Sequence, residues 1–275
     1  MFKKQSCIQG PHNSAKIVKG VNLSNEKKTI NTLVPDILEL LAKGSFKIDG
    51  TKLGELIERR LSEERTPKLS MSNFGKPCDR QLWLQINRPD LAAPLDGATR
   101  LKFLYGDILE EIILSLAEQA GHDVKGRQDD CSYGGLIGHR DAIIDGMVID
   151  VKSANSRSFE KFRTHSVDRE DGDNFGYIDQ LSLYVLAGAD DPEVEIKGEG
   201  AFLAIDKEQG RMVLDKYPRR RITDKDIEEK RRMLAQPEPP ECHYELGPRG
   251  GKPWQCSYCS HKEYCRSEIP PKKVQ

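Results

Sequence analysis

The chain has 275 residues, 37% hydrophobic and 32% charged, with a net charge of −1. This mix suits one large globular domain or two modest ones and excludes a charge-unbalanced disordered chain. No apolar run approaches the roughly 18 residues of a membrane helix, so a membrane protein is not expected.

Residues 1–10 (MFKKQSCIQG) hold no apolar leader core, so secretion is not expected either. Seven cysteines, odd in number and unevenly spaced, do not form an extracellular disulfide framework. In a reducing, cytoplasmic setting such a set points to metal binding. Near-neutral charge does not exclude nucleic acid, because a local basic groove suffices.

Up to about residue 30 the chain is weakly patterned, with Lys3, Lys4, Lys16, Lys19, Lys27 and Lys28 against Glu26, and reads as a solvated basic arm. Leu33–Ala42 and Lys52–Arg65 carry helical periodicity, the second with a stripe of Leu53, Leu56, Ile57 and Leu61. Thr66-Pro67 ends that segment, and Ser70 is placed to cap a helix running to Ile86. After a loop over Asn87–Gly97, one long amphipathic helix is expected over Thr99–Ala120, stopped by Gly121. Strand patterns fill His122–Ser153. A helix follows over Asn174–Ala187, stopped by Gly188. Gly200–Asp206 and Arg211–Tyr217 read as a hairpin, and Thr223 caps a last helix to Ala235. The order implies an α/β fold with a mixed central sheet flanked by helices. A boundary near residue 66 separates the arm and helical extension (1–66) from the main domain (67–275).

The stretch GHRDAIIDGMVIDVKSA, Gly138–Ala154, carries the most chemistry. Asp145-Gly146 between two β-rich runs is a two-residue hairpin signal, and the register it sets pairs Ile144 with Met147, Asp141 with Asp150 and His139 with Lys152. Period-2 alternation then gathers His139, Asp141, Asp150 and Lys152 on one face. Two facing carboxylates repel unless a cation lies between them, and a hard divalent metal suits that place. A solvated face with ordinary charges is the plainer alternative. On the Thr99–Ala120 helix, Glu110 shares an apolar edge with Phe103, Gly106, Leu114 and Ala117, where a carboxylate needs a partner, whereas Glu111 falls on a solvent side. Gln180 and Tyr184 lie one helical turn apart, on the side of Tyr177.

Cys256, Cys259 and Cys265 form a C-x2-C-x5-C tail, expected to have Trp254, Tyr258 and Tyr264 packed around it. Three thiolates so close point to a metal whose fourth ligand is Cys78, Cys242, His243 or His261; a histidine would suit zinc, a cysteine an iron–sulfur cluster. Cys7 and Cys131 have no partner nearby in sequence. Arg157, Lys161 and Arg163 form one basic cluster and Arg219, Arg220 and Arg221 a second. Either suits phosphate contacts, with the interleaved charges of Lys225–Arg232 reading equally as a solvated helix face.

Together these motifs resemble the iron–sulfur, RecB-like branch of the PD-(D/E)XK nuclease superfamily, over about Ser70 to Cys265. Gly106-x-x-x-Glu110 resembles its first motif, with Glu where His is frequent. Gly138-His139-x-Asp141 resembles the second, Asp150-Val151-Lys152 the D-x-K of the third, and Gln180-x-x-x-Tyr184 the Q-x-x-x-Y that follows. The resemblance implies a restriction-endonuclease-like core over 67–275 with an iron–sulfur-stapled C-terminal segment. It implies Mg2+ or Mn2+ on Glu110, Asp141, Asp150 and the Val151 carbonyl, catalysis by Lys152, Gln180 and Tyr184, and a 4Fe–4S cluster on Cys78, Cys256, Cys259 and Cys265. The expected activity is metal-dependent exonucleolytic hydrolysis of single-stranded DNA or DNA ends, in a bacterial or phage setting alongside recombination, repair or replication proteins. The alternatives are a structure-specific endonuclease and a non-catalytic nucleic-acid-binding module holding zinc.

Overall fold

A computed structural model describes residues 28–62, 66–169, 172–246, 251 and 253–267; most of the expected basic arm and Cys7 lie outside them. Helices α1 (Leu33–Lys43) and α2 (Gly50–Ser62) lead into two short ones, α3 (Met71–Phe74) and α4 (Asp79–Asn87), and then the long α5 (Gly97–Gln119). Five strands follow: β1 (Val124–Lys125), β2 (Asp130–Tyr133), β3 (Leu136–His139), β4 (Ala142–Ile144) and β5 (Met147–Ala154). Next come α6 (Ser156–Arg163), α7 (Tyr177–Ala187), β6 (Glu199–Asp206), β7 (Met212–Pro218) and α8 (Asp224–Leu234).

The main sheet runs β1-β4-β5-β6-β7, with β5 and β6 parallel and every other neighbour antiparallel. A parallel pair needs a crossover, and the α6–α7 segment supplies it. β2 and β3 form a separate two-stranded ribbon. Asp145 and Gly146 both take positive φ, 49° and 78°, matching the twist of a two-residue turn, and the expected Ile144–Met147 pairing follows.

The expected helix from Ser70 to Ile86 divides in two. Pro77 has no N–H to offer a helical ladder. The second helix restarts from Cys78, whose Sγ accepts the Gln81 N–H at 3.4 Å. Helix α6 was not expected. It begins where Asn155 Oδ1 accepts the Ser158 N–H at 2.8 Å. Helix α7 begins three residues later than expected, because Asp173 folds residues 173–176 into a cap. Its carboxylate accepts the N–H groups of Gly176, Tyr177 and Ile178, each at 2.8 Å.

Both faces of the sheet are covered. Ile144, Met147 and Ile149 pack against Leu33 and Ile37 of α1 and Leu114 and Ala117 of α5. Ile143, Val148 and Phe202 pack against Phe159 and Phe162 of α6 and Leu181 and Tyr184 of α7. The long helix is thus seated by its apolar stripe, and α2 lies along it. Among the described residues, no helix is long and apolar enough to cross a membrane.

Candidate active site

β4 is only three residues long, and the hairpin register carries Asp141 opposite Asp150 one step beyond the Ala142–Ile149 pair. There the chain turns away. Arg140 is buried and ion-paired to Asp191 at 2.6 Å, and its N–H bonds the Asp129 carbonyl at 3.3 Å. The expected facing of His139 and Lys152 is therefore corrected: His139 pairs across the separate ribbon with Asp130, Nδ1 to Oδ1 2.6 Å, and stays exposed.

Asp141 Oδ2 accepts the Val151 N–H at 2.7 Å, which ties the end of β4 to β5. Asp150 is 1% exposed; its Oδ1 meets Lys152 Nζ at 2.6 Å, while its Oδ2 is buried with no partner. Glu110 reaches the same place from α5. The amide of Gln128, a residue held at φ 55°, joins the acids by donating to Glu110 Oε1 and, at 3.4 Å, to Asp141 Oδ1. Arg60 of α2 in turn donates to Gln128 Oε1 at 3.2 Å and lies 3.5 Å from Asp107. Glu111 is not the solvent residue expected; it pairs with Arg127 at 3.0 Å.

Lys152 Nζ stands 4.6 Å from the ring centroid of Tyr177. Gln180 Nε2 donates to the Tyr184 hydroxyl at 3.2 Å, and Tyr184 is almost wholly buried. Its ring packs so close to Gly138 that a Cβ there would lie 2.7 Å from it.

Crowding of like charge away from water sets the protonation states. Burial, reinforced by Asp107 and Asp150, pushes Glu110 up to about 7 against the opposing bond from Gln128 and the charge of Arg60. Burial with Asp150 and Glu110 lifts Asp141 well above the usual carboxylate range. Burial alone would lower Lys152, but Asp150, Tyr177 and Asp141 outweigh it, so the group remains an ammonium. Burial, with Asp150 close by, raises Tyr184 and keeps it a neutral phenol.

These acids fit a divalent cation. An unpartnered buried carboxylate oxygen, two further carboxylates bridged by an amide donor, and elevated acid pKa values all mark an excess of negative charge. Among the described residues no three His, Cys, Asp or Glu side chains already close round one point as a metal cage.

The cysteines gather at a second place. Cys78, Cys256, Cys259 and Cys265 line one cavity with Gln81 and Tyr244, and Cys242 Sγ lies 3.7 Å from Cys265 Sγ. None of the six described cysteines is in a disulfide. Four thiols in one lining suit a sulfur-loving metal group, with Gln255, Lys262 and Arg266 completing the wall. His261 does not join it. Nε2 donates to the Arg88 carbonyl at 3.0 Å, Nδ1 meets Ser260 Oγ at 3.1 Å, and burial lowers its pKa. Cys131 is buried and bonds the Gly138 carbonyl, its thiol pushed up to about 11 by burial. The aromatic residues of the tail are not packed around the thiols as expected: Trp254, Tyr258 and Tyr264 are 54%, 69% and 38% exposed.

Of the basic residues, Arg157 is exposed, Lys161 Nζ donates to the Gly172 carbonyl, and Arg163 pairs with Glu160. Arg219 donates to the Lys197 carbonyl, Arg220 pairs with Asp179 at 3.0 Å, and Arg221 is exposed. Lys230 and Arg231 of α8 turn inward, to Asp79 and the Gly134 carbonyl, and so fasten α4 and the β2–β3 ribbon. Sequence reasoning missed Gln128 and Arg60 at the acid cluster. Both arrive from loops or helices distant in sequence, and neither carries a motif.

Fold and site together define a mixed α/β protein with a cluster of acids and a lysine at one end of its central antiparallel pair. No family model matches the chain, and no curated protein matches it. Among solved structures it is similar to SSO0001, with a TM-score of 0.44 and 16% identity over 82% of this chain and 98% of that one. It is also similar to LHK-Exo, solved in complex with dAMP, with a TM-score of 0.35 and 15% identity over 66% of this chain and 89% of that one.

Proposed function

We propose that this protein is a Mg2+- or Mn2+-dependent deoxyribonuclease that works from DNA ends, with a cysteine-held 4Fe–4S cluster that staples its C-terminal segment. The observation that carries the reading is the convergence of Glu110, Asp141, Asp150 and Lys152, with Asp150 Oδ2 buried and unpartnered. The sequence resemblance to the iron–sulfur PD-(D/E)XK nucleases supports it by the order of its motifs.

Glu110, Asp141, Asp150 and the Val151 carbonyl hold the cation, which when bound supplies activation of water and neutralisation of phosphate charge. Lys152, fixed as an ammonium between Asp150 and the Tyr177 ring, cannot accept a proton at neutral pH; it donates to the phosphate as negative charge develops there. Gln180 and Tyr184 close the buried side of the site, and the neutral Tyr184 hydroxyl keeps a donor beside the acids. Cys78, Cys256, Cys259 and Cys265 hold the cluster, whose part is structural.

DNA labelled at its 5′ or its 3′ end, incubated with Mg2+ or Mn2+, is expected to release labelled mononucleotides early from one end only. A circular single strand is expected to survive. Lys152→Ala is expected to lower the rate by at least about 100-fold with the fold retained. No divalent-dependent cleavage, or an undiminished rate in Lys152→Ala, would overturn the nuclease. A colourless anaerobic preparation rich in zinc would replace the iron–sulfur cluster with a zinc site.

A further inference from the structure

From Lys152 a file of aromatic rings runs outward to the cysteine-bearing tail. Tyr177 lies beneath the ammonium, and Phe175 stacks beside Tyr177 with centroids 5.4 Å apart and planes 29° from parallel. Tyr258 meets Phe175 edge-on at 6.1 Å and 85°, and Trp254 meets Tyr258 edge-on at 6.0 Å and 90°. The outer three are exposed, Phe175 by 46%, Trp254 by 54% and Tyr258 by 69%, although folding ordinarily hides such large rings.

The backbone that carries Phe175 is tied down. Asp173 caps α7 through three N–H groups, and Gly176, at φ 79°, sits so close to Gly75 that a Cβ would lie 2.2 Å from its backbone. Phe175 thereby stands outward between the Asp173 cap and the Gly75–Gly176 contact. Tyr177 covers one face of Phe175, and each edge-on contact sets one ring's rim against its neighbour, so each of the three outer rings keeps only part of its surface in water. A row of part-exposed aromatic rings leading to a buried ammonium matches one kind of ligand: a strand with flat bases on one side and phosphates on the other.

We propose that Phe175, Tyr258 and Trp254 form a base-stacking track that receives a single-stranded nucleic acid and leads its phosphates toward Lys152. The track rests on the nuclease reading for its direction, not for its existence. It commits the C-terminal segment to substrate binding in addition to its structural part. Stacking does not read sequence, since every base has a flat face, but it does require a base.

The test uses the full-length protein in EDTA, where binding is measured without cleavage. Fluorescence anisotropy compares a short oligothymidylate with an abasic strand of the same length and charge. The wild type is expected to bind the thymidylate at least about tenfold more tightly, and raising the salt weakens both strands while preserving that ratio. Phe175→Ala and Tyr258→Ala are each expected to cut the preference by about fivefold or more, and Tyr258→Phe to restore it. Equal binding of the two strands by the wild type overturns the track. So does an unchanged preference in the Phe175→Ala, Tyr258→Ala double variant, or sedimentation showing that these rings are covered by a second copy of the chain. Retained base preference without Mg2+-dependent cleavage upholds the track while removing the nuclease. Cleavage without base preference does the reverse.

Discussion

Asp150 is the residue on which the acid cluster turns. One of its oxygens is neutralised by Lys152 and the other faces a buried space with no donor, while burial, joined by its charge, raises both Glu110 and Asp141. Asp150→Asn removes that excess. Since outer-shell changes alone typically cost 10- to 100-fold in metal affinity, this variant is expected to weaken Mn2+ binding by more than about 100-fold, as titration calorimetry without DNA would show. Asp141, Asp150 and Lys152 were legible in the sequence because a two-residue turn sets their register locally, and no distant contact is needed to pair them. Glu110 was legible because a carboxylate on an apolar helix edge calls for a partner. Gln128 and Arg60 were not, since a loop residue with positive φ and a helix residue far back in the chain meet only through the tertiary fold.

At the scale of elements, turns and caps decide where the secondary structure starts and stops. Asp206, at the end of β6, accepts Ser156 Oγ at 3.1 Å, the Glu208 and Gln209 N–H groups at 3.0 and 3.2 Å, and Arg211 Nη2 at 2.7 Å. Burial works to raise its pKa, but these bonds outweigh it and hold the carboxyl below 3.8. A folded-state value below the unfolded one stabilises the protein above the unfolded pKa, and that contribution disappears as pH falls through the folded value. Asp206→Asn is therefore expected to lower Tm at pH 7, with the gap from wild type closing below about pH 4, as thermal melts across that range would record. The β6–β7 hairpin was expected from its strand pattern, and it ends within a residue of the expectation. The single helix expected over Ser70–Ile86 is two, because Pro77 between them has no N–H for a helical ladder. Helix α6 was not expected because it is short, only eight residues between β5 and the turn that leads to α7, although its Phe159 and Phe162 stand at helical spacing.

Across the whole molecule, one sheet serves two cores, and Phe202 of β6 joins three elements by meeting Phe162, Tyr177 and Tyr217 at 5.5, 6.3 and 5.7 Å. Phe202→Ala leaves a cavity that rigid neighbours on three sides cannot fill, and is expected to cost about 3–5 kcal/mol in chemical denaturation. The C-terminal segment is bolted to α4 by side chains. Arg80 donates to the Cys265 and Pro240 carbonyls at 2.8 and 2.7 Å, Trp83 Nε1 to Gln236 at 3.0 Å, and Asn87 to Leu234 at 3.0 Å. Arg80→Ala is expected to lower Tm and the metal bound per chain together, as elemental analysis beside a melt would show. The cysteine spacing announced a site, but not its attachment, because those donors reach backbone carbonyls, which leave no trace in residue identity.

The bolt has a consequence for biosynthesis. Cys78 leaves the ribosome nearly two hundred residues before Cys265, with the whole central sheet translated between them. The sheet can settle during that interval, whereas the cavity shared by the four cysteines cannot close until residues 256–265 have come back to α4. Loading of any inorganic group there thus waits until residue 265 has been made, and a nascent chain arrested before residue 256 would carry Cys78 without the three cysteines that share its cavity.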